Sequence, residues 1–302
     1  MDPISVPKAL RVGGITQWCL YVILILAAGF FAMPLVWMIS IAAKPADQVM
    51  ASNGLLPTFE SPLWSPEYFK ALAQQVSSNL DEVWNSPLAD FPTYLRNTLI
   101  VAFLSVCGMT LSSAIVAYGF SRLEWKGRDT VFLLVLLTLM VPQAVVMMPQ
   151  YMLFKSVGLI GTLIPLWLPS WFAGGFSIFL LRQFFLTLPR ELDESARMDG
   201  CTQWGIFWRI ILPLSKPALI VVVLMQSVTV WNDFLGPLLF LNKEEQYTLS
   251  LGLQMYQSQH GGTPWNLVMM ASCLVVVPVL VLYLWTRRYF HGAEIGSGTK
   301  DG

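Results

Sequence analysis

Apolar residues run through this chain in long blocks separated by short polar punctuation, without the alternation of half-buried strands. About 20 consecutive apolar residues let a helix cross roughly 30 Å of hydrocarbon. Six stretches approach or exceed that length: Trp18–Ile39, Leu95–Phe120, Val131–Phe154, Leu163–Leu181, Ala218–Leu241 and Leu267–Trp285. Each ends at charged, Pro or Gly clusters, where helices stop. The pattern predicts an all-α polytopic membrane protein with six transmembrane helices. The first block has features of a secretory signal, with Lys8 and Arg11 before it and a weak cleavage-like Ile41-Ala42-Ala43 after it. It is longer than the roughly 7–15 residues of a signal's apolar region, which predicts an uncleaved helix.

Composition supports the bilayer as solvent. Of 302 residues 55% are hydrophobic and only 12% charged, about half the charge of an ordinary soluble domain. Eighteen basic and eighteen acidic residues leave no net charge. A basic nucleic-acid binder is thereby excluded, and so is intrinsic disorder. The positions of the positive charges set the orientation. Thirteen of the eighteen lie in the N-terminus, in residues 121–130, in the loop 182–216 or in the tail. Both termini and that loop are expected in the cytoplasm, with 44–94 and 242–266 outside. The outer loop 44–94 carries three Ser-Pro steps and two tryptophans, and residues 67–84 could form one amphipathic helix lying as a lid over the bundle. The chain divides into 1–94 (N-terminus, first helix and outer loop), a transmembrane core 95–290, and a tail 291–302.

Several chemistries are missing. Cys19, Cys107, Cys201 and Cys273 show no CxxC spacing, and His260 and His291 stand far apart without an HExxH, so neither a disulfide framework nor a metal site is expected. GxxxxGK[ST] and GxSxG are also absent. If ATP drives this protein, another subunit binds it.

The informative segment is the cytoplasmic loop 189–217. Pro189 suits a helix start, and Glu191, Asp193 and Glu194 place negative charge in the first turns, where the helix dipole favours it. Asp199-Gly200 reads as a stop, with Gly able to take the left-handed conformation. A second segment, Thr202 to Leu212, presents Trp204, Phe207, Trp208 and Ile211 at helical spacing. Two short helices at a glycine could also be a DNA-binding helix-turn-helix, but the flanking spans and the lack of basic surplus argue against it. An amphipathic element resting on lipid headgroups is the plainer alternative.

Glu194-Ser195-Ala196, three residues, Gly200, nine residues and then Ile210-Ile211-Leu212-Pro213 resembles the EAA loop of permease subunits of binding-protein-dependent ABC importers, with Ser195 in place of the middle alanine. Asn97-Thr98, the stretch Ala117 to Arg122, Val141-Pro142, Trp231-Asn232-Asp233-Phe234 and Pro237-Leu238 extend the likeness, which is to the carbohydrate branch and its six-span, maltose-type permease. The resemblance implies a type I importer permease fold (MetI-like) with a cytoplasmic coupling helix that docks on an ATPase. Glu194, Ser195, Ala196, Asp199 and Gly200 would form the docking core, and Ile210, Leu212 and Pro213 would anchor the loop. The chain would be no enzyme and would bind no cofactor, with ATP and Mg on the partner ATPase subunits. Further implied partners are a second permease, an extracytoplasmic binding protein and a sugar or related polyol, in a prokaryotic inner membrane.

Trp231, Asn232 and Asp233 are candidates for the sugar path, because an acid within an apolar span usually faces a bundle interior or water-filled route. Trp231 could equally sit in an interface belt and Asp233 bond a neighbouring helix. The loop 242–266, with Gln254, Tyr256, His260 and Trp265, is a candidate contact for the binding protein. Prolines 34, 142, 165, 169 and 278 allow kinks. Competing readings are an importer of a polyamine or glycerol phosphoester, and a secondary transporter, which one intramembrane acid and no repeated halves support poorly.

Overall fold

The structure, a computed structural model, describes residues 14–51, 54–86, 89–256 and 263–290. Lys8, Arg11, His260, His291 and Lys300, on which some expectations rest, lie outside them. Among the described residues all regular structure is helical, with no strand. In chain order the helices are α1 (Gly14–Ala42), α2 (Ala46–Ala51), α3 (Pro66–Trp84), α4 (Phe91–Ser121), α5 (Arg128–Thr138), α6 (Gln143–Ser156) and α7 (Ile164–Trp167). A 3₁₀ turn (Leu168–Phe172) leads to α8 (Gly175–Thr187), α9 (Glu191–Met198) and α10 (Gln203–Ile206). A π turn (Phe207–Ile211) precedes α11 (Leu212–Leu214), and then come α12 (Lys216–Trp231), α13 (Leu235–Phe240), α14 (Leu249–Gly252) and α15 (Trp265–Phe290).

Four helical stretches are long and apolar enough to cross a bilayer, and two bent pairs raise the number to six. The six apolar blocks are present, but three are not single rods. The block expected at Val131–Phe154 is α5 and α6, which meet at 95°. Pro142 sits at that bend in extended conformation, with no N–H for the helical ladder. The block at Leu163–Leu181 runs through the 3₁₀ turn and is interrupted where Ala173 takes φ 62°. The fifth block stops at Trp231, and residues 232–234 separate it from the short α13. Prolines 142, 165 and 169 lie in or next to such breaks, whereas Pro34 and Pro278 are accommodated inside α1 and α15.

The chain forms two compact units, residues 1–82 with 264–273 and residues 83–263 with 274–302. In the smaller one the amphipathic helix expected at 67–84 forms as α3. Its buried Asn79 donates to the carbonyls of Ala42 (2.8 Å) and Lys44 (3.0 Å), satisfying acceptors beside the end of α1. Gln75 and Asn266 donate to the Asn79 oxygen at 3.0 and 3.4 Å. Lys44 Nζ reaches the Gly54 carbonyl at 2.6 Å, and the Tyr68 hydroxyl donates to Pro57 at 3.0 Å. The described residues of 44–86 thus form a hydrogen-bonded element. The side chains of α1 between Trp18 and Phe31 stay almost entirely exposed, as suits lipid.

In the larger unit α4 is the central rod, with α8, α12 and the 3₁₀ turn packed along it. Its buried positions fall at helical spacing and are mostly small or polar: Asn97, Thr98, Val101, Ser105, Gly108, Ala114, Ala117 and Ser121. In lipid, where burial of apolar surface gives no drive, close approach of small residues and interhelical hydrogen bonds hold helices together. Gly108 shows why: a Cβ there would come within 2.5 Å of the Trp171 ring. One apolar cluster joins α4 (Ala114, Ala117), α8 (Leu181, Phe185), the loop 189–217 (Ala196, Ile206, Phe207, Ile211) and α12 (Val222). The loop is therefore built into the bundle.

Candidate functional site

The loop 189–217 folds for local reasons that its sequence carries. α9 ends in a Schellman arrangement: the Gly200 N–H bonds the Arg197 carbonyl (3.0 Å) and the Cys201 N–H bonds that of Ala196 (2.9 Å). Gly200 has φ 81°, the left-handed conformation this cap requires, with open space around its Cα. Two residues on, Thr202 caps α10 by accepting from the Gly205 N–H at 3.2 Å.

What holds α9 against the bundle is a buried ion pair. Arg122, the residue after α4, donates from Nη1 to the Asp193 carboxylate at 2.9 Å, with both side chains nearly sealed from solvent, at 2% and 8% exposure. Its Nη2 donates to the carbonyls of Phe185 (2.5 Å) and Leu188 (2.9 Å) at the end of α8. One guanidinium thus ties together the ends of α4 and α8 and the start of α9. A second tie comes from α4: the Tyr118 hydroxyl donates to the Gln203 side-chain oxygen at 2.9 Å, and its ring packs on Phe207 at 5.1 Å.

The residues expected to dock divide between two faces. Glu194, Ser195, Asp199 and Gly200 are exposed, together with Arg197 and Met198, the last 88% exposed. Ala196 instead turns inward, so its small size serves the fit of α9 against its own bundle. Among the anchors, Ile210 and Leu212 are half-buried against the core, whereas Pro213 is exposed. The fully buried anchors are Ile206, Phe207 and Ile211. The expected stripe is split for a geometric reason. The π turn from Phe207 to Ile211 inserts extra residue length, keeping Phe207 and Ile211 inside while Trp204 and Trp208 face out. The motif singles out Glu194 and Asp199 but not Asp193. The signal was an i, i+3 pair, Asp193 and Ala196, on one face of a short helix.

A second site is a cleft of about 390 Å³ among α6, α7, the 3₁₀ turn, α12 and α13. Polar groups in its wall are Gln143 and Gln150 from α6, Ser170, and Gln226, Thr229 and Asp233 on the α12 side. Gln226 donates to the Ser170 hydroxyl at 3.2 Å, which orients the amide. Asp233 accepts from the Gly236 N–H at 3.0 Å, capping the start of α13, and its carbonyl accepts from Ser250 at 2.5 Å. Of the three path candidates only Asp233 lines this cleft. Trp231 is 9% exposed and donates its indole N–H to the Val275 carbonyl at 3.2 Å. Asn232 bonds back to Val228 at 2.8 Å and is exposed. The glutamines were missed, although the spacing of Gln143 and Gln150, seven apart on one face of a helix, is legible. Among the described residues no group of His, Cys, Asp and Glu could hold a metal ion.

Comparison with known proteins adds the following. The family described as "Binding-protein-dependent transport system inner membrane component" matches residues 108–292. The arabinooligosaccharides transport system permease of Halalkalibacterium halodurans is 30% identical over 286 residues, covering 95% of this chain and 97% of that protein. The trehalose/maltose transport system permease of Thermococcus litoralis is 32% identical over 269 residues, 88% and 90% of the two chains. Among solved structures, a chain of a bacterial ABC transporter involved in import of the acidic polysaccharide alginate superposes with TM-score 0.75 at 21% identity, over 96% of this chain and 100% of that one. That likeness establishes a common fold.

Proposed function

The chain belongs to the family of binding-protein-dependent transport system inner membrane components, and we propose on that premise that it is one half of a heterodimeric permease importing a sugar or related polyol. It is a multi-pass membrane permease subunit. ATP would be bound and hydrolysed, with Mg, on separate ATPase subunits, consistent with a chain that lacks a phosphate-cradling loop. An extracytoplasmic binding protein would deliver the cargo to the side of loops 44–94 and 242–266, with both termini and the loop 189–217 in the cytoplasm, as the excess of Lys and Arg there supports.

One observation carries the coupling role: α9 is clamped from inside by Arg122–Asp193 and leaves Glu194, Ser195 and Asp199 exposed. A helix fixed to its own bundle and free on its outer face can receive a push and pass it on. Glu194 would accept a charge-assisted hydrogen bond from a basic group of the ATPase, while Gly200 sets the exit of the chain from α9. Movement of α9 would reach α4 and α8 through Arg122, and α12 through the apolar cluster around Phe207 and Ile211. The carbohydrate permeases among its relatives support a sugar as cargo. A glycerol phosphoester is disfavoured, since no Lys or Arg lines the cleft.

The test is uptake of labelled oligosaccharides into proteoliposomes holding this chain, its second permease and the ATPase subunits. Uptake that requires ATP, the ATPase and loaded binding protein supports the reading. Uptake by the permeases alone contradicts it.

A further inference from the structure

Three interruptions of regular helix meet at the polar cleft. They are the bend at Pro142, the 3₁₀ turn that ends at Ala173, and the break at residues 232–234. Irregular backbone at membrane depth is tolerated where it lines a cavity, and transporters place cargo sites at such discontinuities. The cleft wall is also chemically selective. Its polar groups are amides and hydroxyls that can donate and accept: Gln143, Gln150, Gln226, Ser170 and Thr229. Between them lie apolar surfaces of Met147, Pro165 and Leu166, suited to the C–H faces of a sugar ring. Asp233 is the one charged residue in the lining, and no cation accompanies it.

From this arrangement we propose that the cleft is a contact site for an uncharged sugar ring on its way through the membrane, and that Asp233 makes it select against uronates. The proposal rests on the carbohydrate reading above and narrows it to neutral glycans. Adjacent sugar hydroxyls match the paired donor and acceptor of an amide, and a hydroxyl can donate to the Asp233 carboxylate. A sugar carboxylate entering the same cleft finds no basic group among the lining residues and meets the Asp233 carboxylate. For like charges at the spacing a cleft of this size imposes, discrimination on the order of tenfold follows at a protein-like effective dielectric. The amide orientation is set in advance by the Gln226–Ser170 bond, so little ordering is needed on contact.

The experiment is saturation-transfer-difference NMR on the purified permease–ATPase complex without its binding protein, whose own selectivity is thereby removed. The probes are neutral malto-, arabino- and chito-oligosaccharides and, against them, oligogalacturonates. Wild type is expected to contact a neutral probe about tenfold more strongly than its uronate counterpart. Asp233→Asn, which keeps an oxygen for the Gly236 N–H, should bring that ratio near one. Gln150→Arg should admit uronates with Asp233 in place, which keeps the proposal testable if the first variant fails to assemble. Gln226→Leu should lower neutral-sugar contact severalfold. A wild-type preference for uronates, or a ratio that neither charge-changing variant moves, overturns the proposal. Absence of contact with any neutral probe does so too. Uptake through the whole system, measured in parallel, decides the carbohydrate reading separately: sugar uptake with no charge selection sinks this proposal alone.

Discussion

Replacing Asp193 with Asn separates the charge of the α9 clamp from its shape. The amide keeps the size of the carboxylate and one acceptor oxygen, so packing around α9 is preserved. The Arg122 guanidinium, however, is left buried without a counter-charge. Both side chains are nearly sealed from solvent, so water cannot screen the loss. Arg122 Nε and Asp193 Oδ1 already lack partners among the described residues, so no nearby group is poised to compensate. Removing one member of such a pair costs about 3–5 kcal/mol. The exposed Arg190–Glu124 pair, of similar length at 3.2 Å, is a built-in control; Glu124→Gln should cost well under about 1 kcal/mol. The assay is denaturation of the detergent-solubilised complex, followed by binding-protein-stimulated ATP hydrolysis of the variants that assemble. Arg122→Met with Asp193→Leu removes both charges, though it still forfeits the bonds to Phe185 and Leu188. It should fall short of the sum of the two single substitutions by at least about 1 kcal/mol. The reasoning is refuted if Asp193→Asn is as mild as Glu124→Gln, or if the two substitutions are additive.

Other expectations follow from the same geometry. Gly108→Val places side-chain atoms where the Trp171 ring lies, so it should lower stability by about 1–3 kcal/mol in thermal melts of the complex. Asn97→Ala removes the bonds to the carbonyls of Glu245 (2.9 Å) and Tyr247 (3.0 Å). It should loosen the 242–248 segment by about 1–2 kcal/mol, seen as faster hydrogen exchange there. Trp231→Phe loses the bond to Val275 and part of a buried ring. It should cost about 1–3 kcal/mol of stability while leaving cargo preference unchanged, in contrast to Gln226→Leu.

The sequence showed much of this through simple periodicities. Block length identified the apolar segments, and Gly200 and the amphipathic stretch before Trp84 were read at their observed places. Breaks were harder. Pro142 signalled one, but Pro34 and Pro278 looked alike and do not interrupt their helices; whether a freed carbonyl finds a partner or a cavity is decided by neighbouring helices. Likewise, Asp193 among the acids of α9 is marked out only by Arg122, 71 residues earlier. The π turn is invisible to a strict helical period, which is why Trp204 and Trp208 were placed with Phe207 and Ile211. Trp231, a path candidate beside Asp233 in the sequence, lies outside the cleft, with its indole N–H satisfied by α15. The amides were overlooked because each glutamine, taken singly, is unremarkable in a span.

The central claim is that the loop 189–217 couples this permease to an ATPase. It is tested most directly by ATP hydrolysis of the reconstituted complex with and without loaded binding protein, comparing wild type with Glu194→Ala and Gly200→Val. The first removes an exposed carboxylate that supports no internal contact on α9. The second forces a branched side chain into a left-handed conformation at a cost of about 1–3 kcal/mol. Both variants are expected to assemble but to lose binding-protein-stimulated hydrolysis and uptake. Stimulated hydrolysis and uptake equal to wild type in both variants would contradict the coupling role and leave the loop a passive surface element.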